Sequence, residues 1–474
     1  MTLVLHAHLW GDRQSKHDWL NSHEASDTQW AEARPHSPSY WFVPRDSTLQ
    51  AEYEAGWKIT DAMPVNSVGI VTARDHLTIQ FTKDEMWDTA QRFASMEPES
   101  ARKEFTLGRD VQDWKVKLAQ ADLAATGLNR QHVVSVLYRP FDTRFTYYTG
   151  SSRGFICRPR PEVMRQMLAG GNIALVTCRQ QSQDSSTWAL VGITSWMIES
   201  CAVSNKTKEI GYLFSLRLFD RHARPKSPRA GIAGTQAGEG PVNLAPEFVK
   251  ELSGRLKMSF IPDGRGDLTK TFGPEDVFAY IYGVFHSPTY RTRYAEFLKI
   301  DFPRVPLTSN ADLFRALCRK GQELVDLHLM RDERINNPSF WRTSYPVAGA
   351  HDVTCVDYHG PGDSAPDEDQ PLETGRVYIN KKQPKRGVQA EYFDGVPPDV
   401  WEFRIGGYQV LDHWLKERKR HKRCLTIEDI EHFQKVVAVL RETIRLMREI
   451  DEVIEAHGGW PDAFQKGERL RDKG

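Results

Sequence analysis

Six arginines, Arg139, Arg144, Arg153, Arg158, Arg160 and Arg165, crowd one short stretch beside Phe141, Phe145, Tyr147, Tyr148 and Phe155, with no lysine among them. Arginine's planar fork binds guanine O6 and N7 bidentately and also grips phosphate, so this composition suits base reading better than generic attraction. Arg179, Gln180 and Gln181 close an apolar run, and arginine and glutamine fit guanine and adenine edges. Residues 416–423 read Lys-Glu-Arg-Lys-Arg-His-Lys-Arg. Such a run predicts phosphate contacts, in which cations displace counterions and fix register without reading bases. The base-reading candidates are Arg139, Arg144, Arg153, Arg158, Arg179, Gln180 and Gln181; the phosphate candidates are Arg160, Lys416, Arg418, Lys419, Arg420, Lys422 and Arg423. The bland counterpart pairs the arginines with carboxylates such as Asp142 and Glu162, puts the aromatics in a core and leaves 416–423 as a solvated face.

No complete catalytic centre accompanies them. Asn337-Pro-Ser-Phe340 approximates the Asn/Asp-Pro-Pro-aromatic loop with which amino-methyltransferases hold a flipped base. A serine replaces the second proline, no glycine-rich strand-to-helix turn precedes it, and a polar turn is the ordinary explanation. Asp263, Asp267 and Lys270 are spaced wrongly for a metal-dependent nuclease, and Gly264 and Gly266 make the stretch a surface turn. His351, Cys355 and His359 lack a fourth metal ligand at suitable spacing, and no phosphate-cradling Walker loop occurs.

The totals are neutral. Lys plus Arg and Asp plus Glu both number 63 in 474 residues, so any electrostatic footprint must be local. Six scattered cysteines without a C-x-x-C pair argue against a disulfide framework or zinc site and for a reducing cytoplasm. Neither a signal peptide nor a membrane span is expected.

Several elements must position these side chains. Leu3, Val4, Leu5 and then Leu9 and Trp10 predict a strand whose neighbours are missing, as at a truncated domain. Further strands are expected at 40–43, 68–72, 132–138 and 172–178, and the run at 190–198 is expected beside the last of these. Helices are predicted over 83–95 and 111–125, and from Pro161 to the stop at Gly170-Gly171. Residues 274–330 read as helical, with Ser287-Pro288 as cap and first turn, and Thr426 with Asp429 opens a long last helix carrying Ile430, Phe433, Val437 and Leu440.

The string Tyr138-Arg-Pro-Phe-Asp-Thr-Arg-Phe-Thr-Tyr-Tyr-Thr-Gly150, continuing to Met164, resembles the C-terminal specificity region of type ISP restriction-modification enzymes. The resemblance extends through 172–181, Ser204-Asn-Lys-Thr207, Gly211-Tyr-Leu-Phe214, 280–303, Phe393-Asp-Gly-Val-Pro397, 401–410 and 414–419. Ser215 and Arg217 depart from its pattern, and 360–374 is particular to this chain. The resemblance implies an α+β, mixed-sheet target recognition module that selects a site on double-stranded DNA. It also implies an upstream part, covalent or separate, carrying nuclease, translocase and adenine-N6 methyltransferase, with S-adenosylmethionine, ATP and magnesium belonging there and no cofactor here.

The expected organisation is a remnant of the methyltransferase at 1–20, a recognition unit at 21–220, a flexible loop at 221–243, a mainly helical unit at 244–345, and short strands, basic segment and long helix at 346–474. Two rivals stand beside this. A self-sufficient methyltransferase or nuclease predicts methyl transfer or cleavage by the chain alone; a protein-interaction subunit of a defence complex predicts no DNA retention even at low salt.

Overall fold

The computed structural model describes residues 3–9, 11–33, 35, 40, 42, 48–181, 187–203, 209–219, 240–347, 349–364, 370–381 and 389–465. The chain divides into two compact units, Met1–Ala55 and Gly56–Gly474. In the first, Val4–His6 pairs antiparallel with Ala31–Ala33, so the strand expected to lack neighbours has one within the chain. The intervening helix Arg13–Ser22 starts at Asp12, whose carboxylate accepts from the Ser15 N–H at 2.8 Å. Tyr40 and Phe42 lie in no strand; residues 41 and 43 of that expected element, like Trp10, fall outside the described residues.

In the second unit the predicted helix Lys83–Ser95 forms with those limits. Thr82 and Glu85 exchange both bonds of a capping box, and Met86, Ala90 and Phe93 recur on its buried face. The helix expected from 111 begins at Val116, because Val111 and Trp114 first pair across a turn. Val133–Arg139 and Asp142–Tyr147 make a hairpin, with Met197–Ile198 parallel to its first strand. A separate four-stranded antiparallel sheet runs in the order Ser67–Val68, Gly211–Ser215, Ala174–Cys178, Val191–Thr194. The apolar run at 190–198 therefore serves two sheets, and Ser195 and Trp196 form the corner between them.

Behind the sheets, Pro274–His286 packs on Ala311–His328 with backbones in contact. A Cβ at Gly321 would lie 1.8 Å from the Ala279 carbonyl oxygen, so only glycine fits. Thr426 and Asp429 cap the final helix, Ile427–Ala456, as the sequence predicts. Its Phe433, Val437 and Leu440 bury against Val377, Phe393, Val400 and Leu415, which fastens the small sheet Asp357–His359, Arg376–Tyr378, Tyr392–Asp394 and the helix Val410–Arg420 to it. The mixed-sheet α+β class and the long last helix agree with expectation.

The internal limits expected at 220 and 345 fall inside this unit. Arg217, one of the two departures, is buried and pairs with Asp263 at 2.6 Å and Glu275 at 2.9 Å, and Asp451 of the last helix accepts from the Thr289 N–H and hydroxyl at 2.9 and 2.7 Å. Of the stretch expected as a flexible loop, 221–239 lies outside the described residues. Asn243 is ordered and buried, donating to the carbonyls of Val65 and Ser215 at 2.7 and 2.9 Å. Ser204-Asn-Lys-Thr207 and residues 365–369 also lie outside the described residues. No described helix is long and apolar enough to cross a membrane.

Candidate nucleic-acid interface

The arginine-rich hairpin is an internal device. Asp142 sits 2.7 Å from the Arg144 Nη2 and 3.1 Å from the Arg418 Nη1, and Arg144 reaches Glu417 at 3.0 Å. Arg139 meets Glu199 at 2.7 Å, and every side chain in these pairs is at most 7% exposed. The aromatics complete the knot: Arg139 stacks 3.8 Å from the Tyr138 ring centroid, Arg144 4.1 Å from those of Phe81 and Tyr138, and Arg418 3.4 Å from that of Trp414. Burial alone would raise the Asp142 carboxyl, but Arg418 and Arg144 reverse this and hold it at about 2. Burial likewise opposes ionisation of Glu417, and Arg144 pulls it below its ordinary value. The expectation that Arg139, Arg144 and Arg418 reach DNA is thus corrected: Arg144 and Arg418 tie the hairpin to the helix Val410–Arg420 through Asp142 and Glu417, and Arg139 ties its first strand to Glu199.

The remaining predicted residues reach the surface to different degrees. Arg153 is exposed, Arg158 is exposed but paired with Asp113, and Arg160 is partly buried with its backbone left-handed at φ 53°. Arg179 and Gln180 are exposed at the end of the strand Ala174–Cys178; Arg179 pairs with Asp301 at 3.3 Å, and the Gln181 N–H donates to the Lys299 carbonyl at 3.0 Å. Much of the 416–423 run is helical, so its charges divide by face. Lys416, Lys419 and Arg420 point outward, with Lys422 exposed just beyond, whereas Arg423 is half-buried against Glu85 at 2.7 Å. Lys416 pairs with Asp412 at 2.7 Å and Arg420 with Glu417 at 3.5 Å.

A feature that sequence reasoning missed borders the hairpin. A cleft of about 1810 Å³ is walled by the strand Val133–Arg139, the helix Pro161–Leu168, the Ser195–Trp196 corner and the end of the helix Ala311–His328. Lys83, Arg130, Arg165 and Arg331 line it, and among the described residues no aspartate or glutamate does. In a chain of zero net charge this is a local excess of basic over acidic side chains. Arg130 is bonded to Asp84, which stands outside the lining, and the Lys83 ammonium rests 5.7 Å from the Phe145 ring centroid. Arg331 donates to the Ser195 hydroxyl at 2.7 Å, and the buried Arg165 Nε has no hydrogen-bond partner among the described residues.

The cleft floor is polar but uncharged. His328 Nδ1 lies 2.6 Å from the Tyr282 hydroxyl and its Nε2 2.7 Å from that of Thr443. Burial, with Arg291 nearby, lowers His328 to about 3, and burial also lowers His432, which favours the neutral imidazole in both. No local signal could have revealed this site, because Lys83 and Arg331 are joined only by the fold.

The motifs that approximate catalysis are structural. Asn337 caps a short helix by accepting from the Ser339 N–H at 3.0 Å, and Asp267 closes a turn by accepting from the N–H groups of Thr269, Lys270 and Thr271 at 2.8, 2.7 and 3.0 Å. Those bonds pull the Asp267 carboxyl to about 2. His351 pairs with Glu391 at 3.0 Å, and among the described residues no group of three His, Cys, Asp or Glu side chains could hold a metal.

The chain belongs to the Type ISP C-terminal specificity domain family, whose model matches residues 61–449. No curated protein sequence matches it significantly. Among solved structures it is similar to the DrdV–DNA complex determined by cryo-electron microscopy, with a TM-score of 0.62 and 18% identity over 92% of this chain and 42% of that one. It is also similar to a nuclease-deletion mutant of the Type ISP restriction-modification enzyme LlaGI in complex with a DNA substrate mimic (TM-score 0.58, 17% identity, 92% of this chain and 38% of that one). A third similar structure is the ATP-dependent Type ISP enzyme LlaBIII bound to DNA (TM-score 0.56, 14% identity, 89% of this chain and 25% of that one). At these identities the likeness is one of fold, and the chain spans less than half the length of each.

Proposed function

We propose that this chain is the sequence-specific double-stranded DNA recognition module of a Type ISP restriction-modification enzyme, supplying the address for chemistry done elsewhere. The observation that carries the reading is the cleft, lined by four basic side chains and, among the described residues, by no carboxylate, with only Arg130 ion-paired, to Asp84 outside the lining, in a family named for specificity. The three similar structures are all described as bound to DNA or a DNA mimic, which supports the same partner here. Lys83, Arg130, Arg165 and Arg331 face the duplex from the cleft. The exposed Lys416, Lys419, Arg420 and Lys422 hold phosphates, with Arg160 and Arg423 at the margin. Arg153, Arg158 and the Arg179–Gln181 loop approach base edges.

Adenine-N6 methylation with S-adenosylmethionine, and ATP- and magnesium-dependent translocation and cleavage, belong to the rest of the longer enzyme, acting in the cytoplasm against foreign DNA. A cap at Asn337 and a turn at Asp267 favour this over a self-sufficient methyltransferase or nuclease. The test is binding of the purified chain to a random duplex pool at two salt concentrations. Retention at low salt, enrichment of particular sequences and a steep fall at higher salt are expected. No retention at low salt would favour the interaction-subunit alternative, and methyl transfer above a buffer blank would favour the enzyme.

A further inference from the structure

Trp196 is 46% exposed and is the sole aromatic among the exposed large hydrophobic side chains described in the unit Gly56–Gly474. A single exposed apolar residue is ordinary on a protein surface; the mounting of this one is not. It sits at the corner where the chain leaves the four-stranded sheet for the hairpin's sheet, between Thr194 and Met197, which are both buried. The Trp196 N–H donates to the Thr194 hydroxyl at 2.9 Å, and that hydroxyl donates back to the Trp196 carbonyl at 3.3 Å. Arg331, from beyond the helix Ala311–His328, holds the preceding Ser195 hydroxyl at 2.7 Å. The corner that carries the indole is therefore held by two sheets and by a side-chain bond from beyond the helical layer, and Trp196 lines the cleft together with Arg165 and Arg331.

A flat apolar ring on a rigid corner, beside cations, has the chemistry of a base-stacking wedge. The cations neutralise the phosphates of a strand while the ring replaces one base-on-base contact. We infer that Trp196 stacks on a base at a step of the duplex that opens on binding, and so contributes discrimination through the ease of opening that step. This rests on the cleft being the DNA-facing surface. An indole makes no hydrogen bond that requires one base, so sequence preference at this step follows deformability rather than edge readout.

The experiment uses the full chain and the duplexes it enriches from a random pool, with 2-aminopurine substituted position by position. Wild-type protein is expected to change the emission of 2-aminopurine at one step. Trp196→Ala is expected to abolish that change and weaken binding about tenfold or more, while leaving the salt dependence as it was, since no phosphate contact is lost. Trp196→Phe is expected to restore both signals in large part. If Trp196→Ala binds as tightly as wild type with the same emission profile, the wedge is overturned and DNA recognition by the cleft stands. If wild type retains no duplex at low salt, the underlying reading falls and the wedge with it.

Discussion

Two cationic regions of this molecule meet opposite fates. The hairpin arginines Arg139 and Arg144, with Arg418, are enclosed by Glu199, Asp142 and Glu417, and their aromatic neighbours stack on them from inside. Lys83, Arg130, Arg165 and Arg331 come from four separate parts of the chain, yet converge on a cleft lined by no acid among the described residues. Local density of arginine and aromatic residues marks a structural knot when carboxylates fold back onto it. A binding surface is marked by the absence of such carboxylates, which only the tertiary arrangement reveals.

Breaking the knot should have the largest effect on stability. Arg144→Ala or Asp142→Asn leaves buried charges without partners, so urea unfolding should show a loss of about 3–5 kcal/mol. A loss below about 1 kcal/mol would mean that the hairpin is held by its apolar contacts alone. Acid should sharpen the same contrast. The Asp142 carboxyl lies at about 2 in the folded protein against an ordinary 3.8. Its stabilising contribution is therefore complete above pH 4 and lost as pH falls towards 2, worth about 2 kcal/mol in an unfolding series over that window. Asp142→Asn should flatten that part of the pH dependence; an unchanged profile would assign the acid sensitivity to other carboxylates.

The smallest stability change is expected on the outer face of the basic helix. Replacing Lys416, Lys419, Arg420 and Lys422 together by glutamine should shift unfolding by no more than about 0.5 kcal/mol per site, while DNA affinity falls about equally for all sequences. Sequence-dependent loss would move these residues from phosphate to base contact.

How much of this was legible in the sequence depends on the range of the interaction. The capping boxes at Thr82 and Thr426 act within three residues, and both helices begin where their signals lie. Asp142, two residues from Arg144, was within reach of a local reading, but Glu199 lies 60 residues from Arg139 and Glu417 lies 273 from Arg144, and it is these distant partners that enclose the arginines. Glu417 sits inside the basic run and looks like a minor interruption; on a helix it turns inward with Arg418 and leaves Lys416, Lys419 and Arg420 outside. The strand at the start of the chain looked unpaired because its partner follows a helix and a loop, at Ala31–Ala33. The cleft itself needs elements between Lys83 and Arg331, which no spacing rule connects.

The most direct test of the central claim compares wild type with Arg165→Ala/Arg331→Ala in duplex binding across a salt series. If the cleft faces the duplex, the logarithmic salt slope should decrease by about two and affinity should fall, in a double variant that remains folded under the assay conditions. Equal affinity and equal slope in a folded double variant would contradict the assignment and place the DNA elsewhere on the molecule.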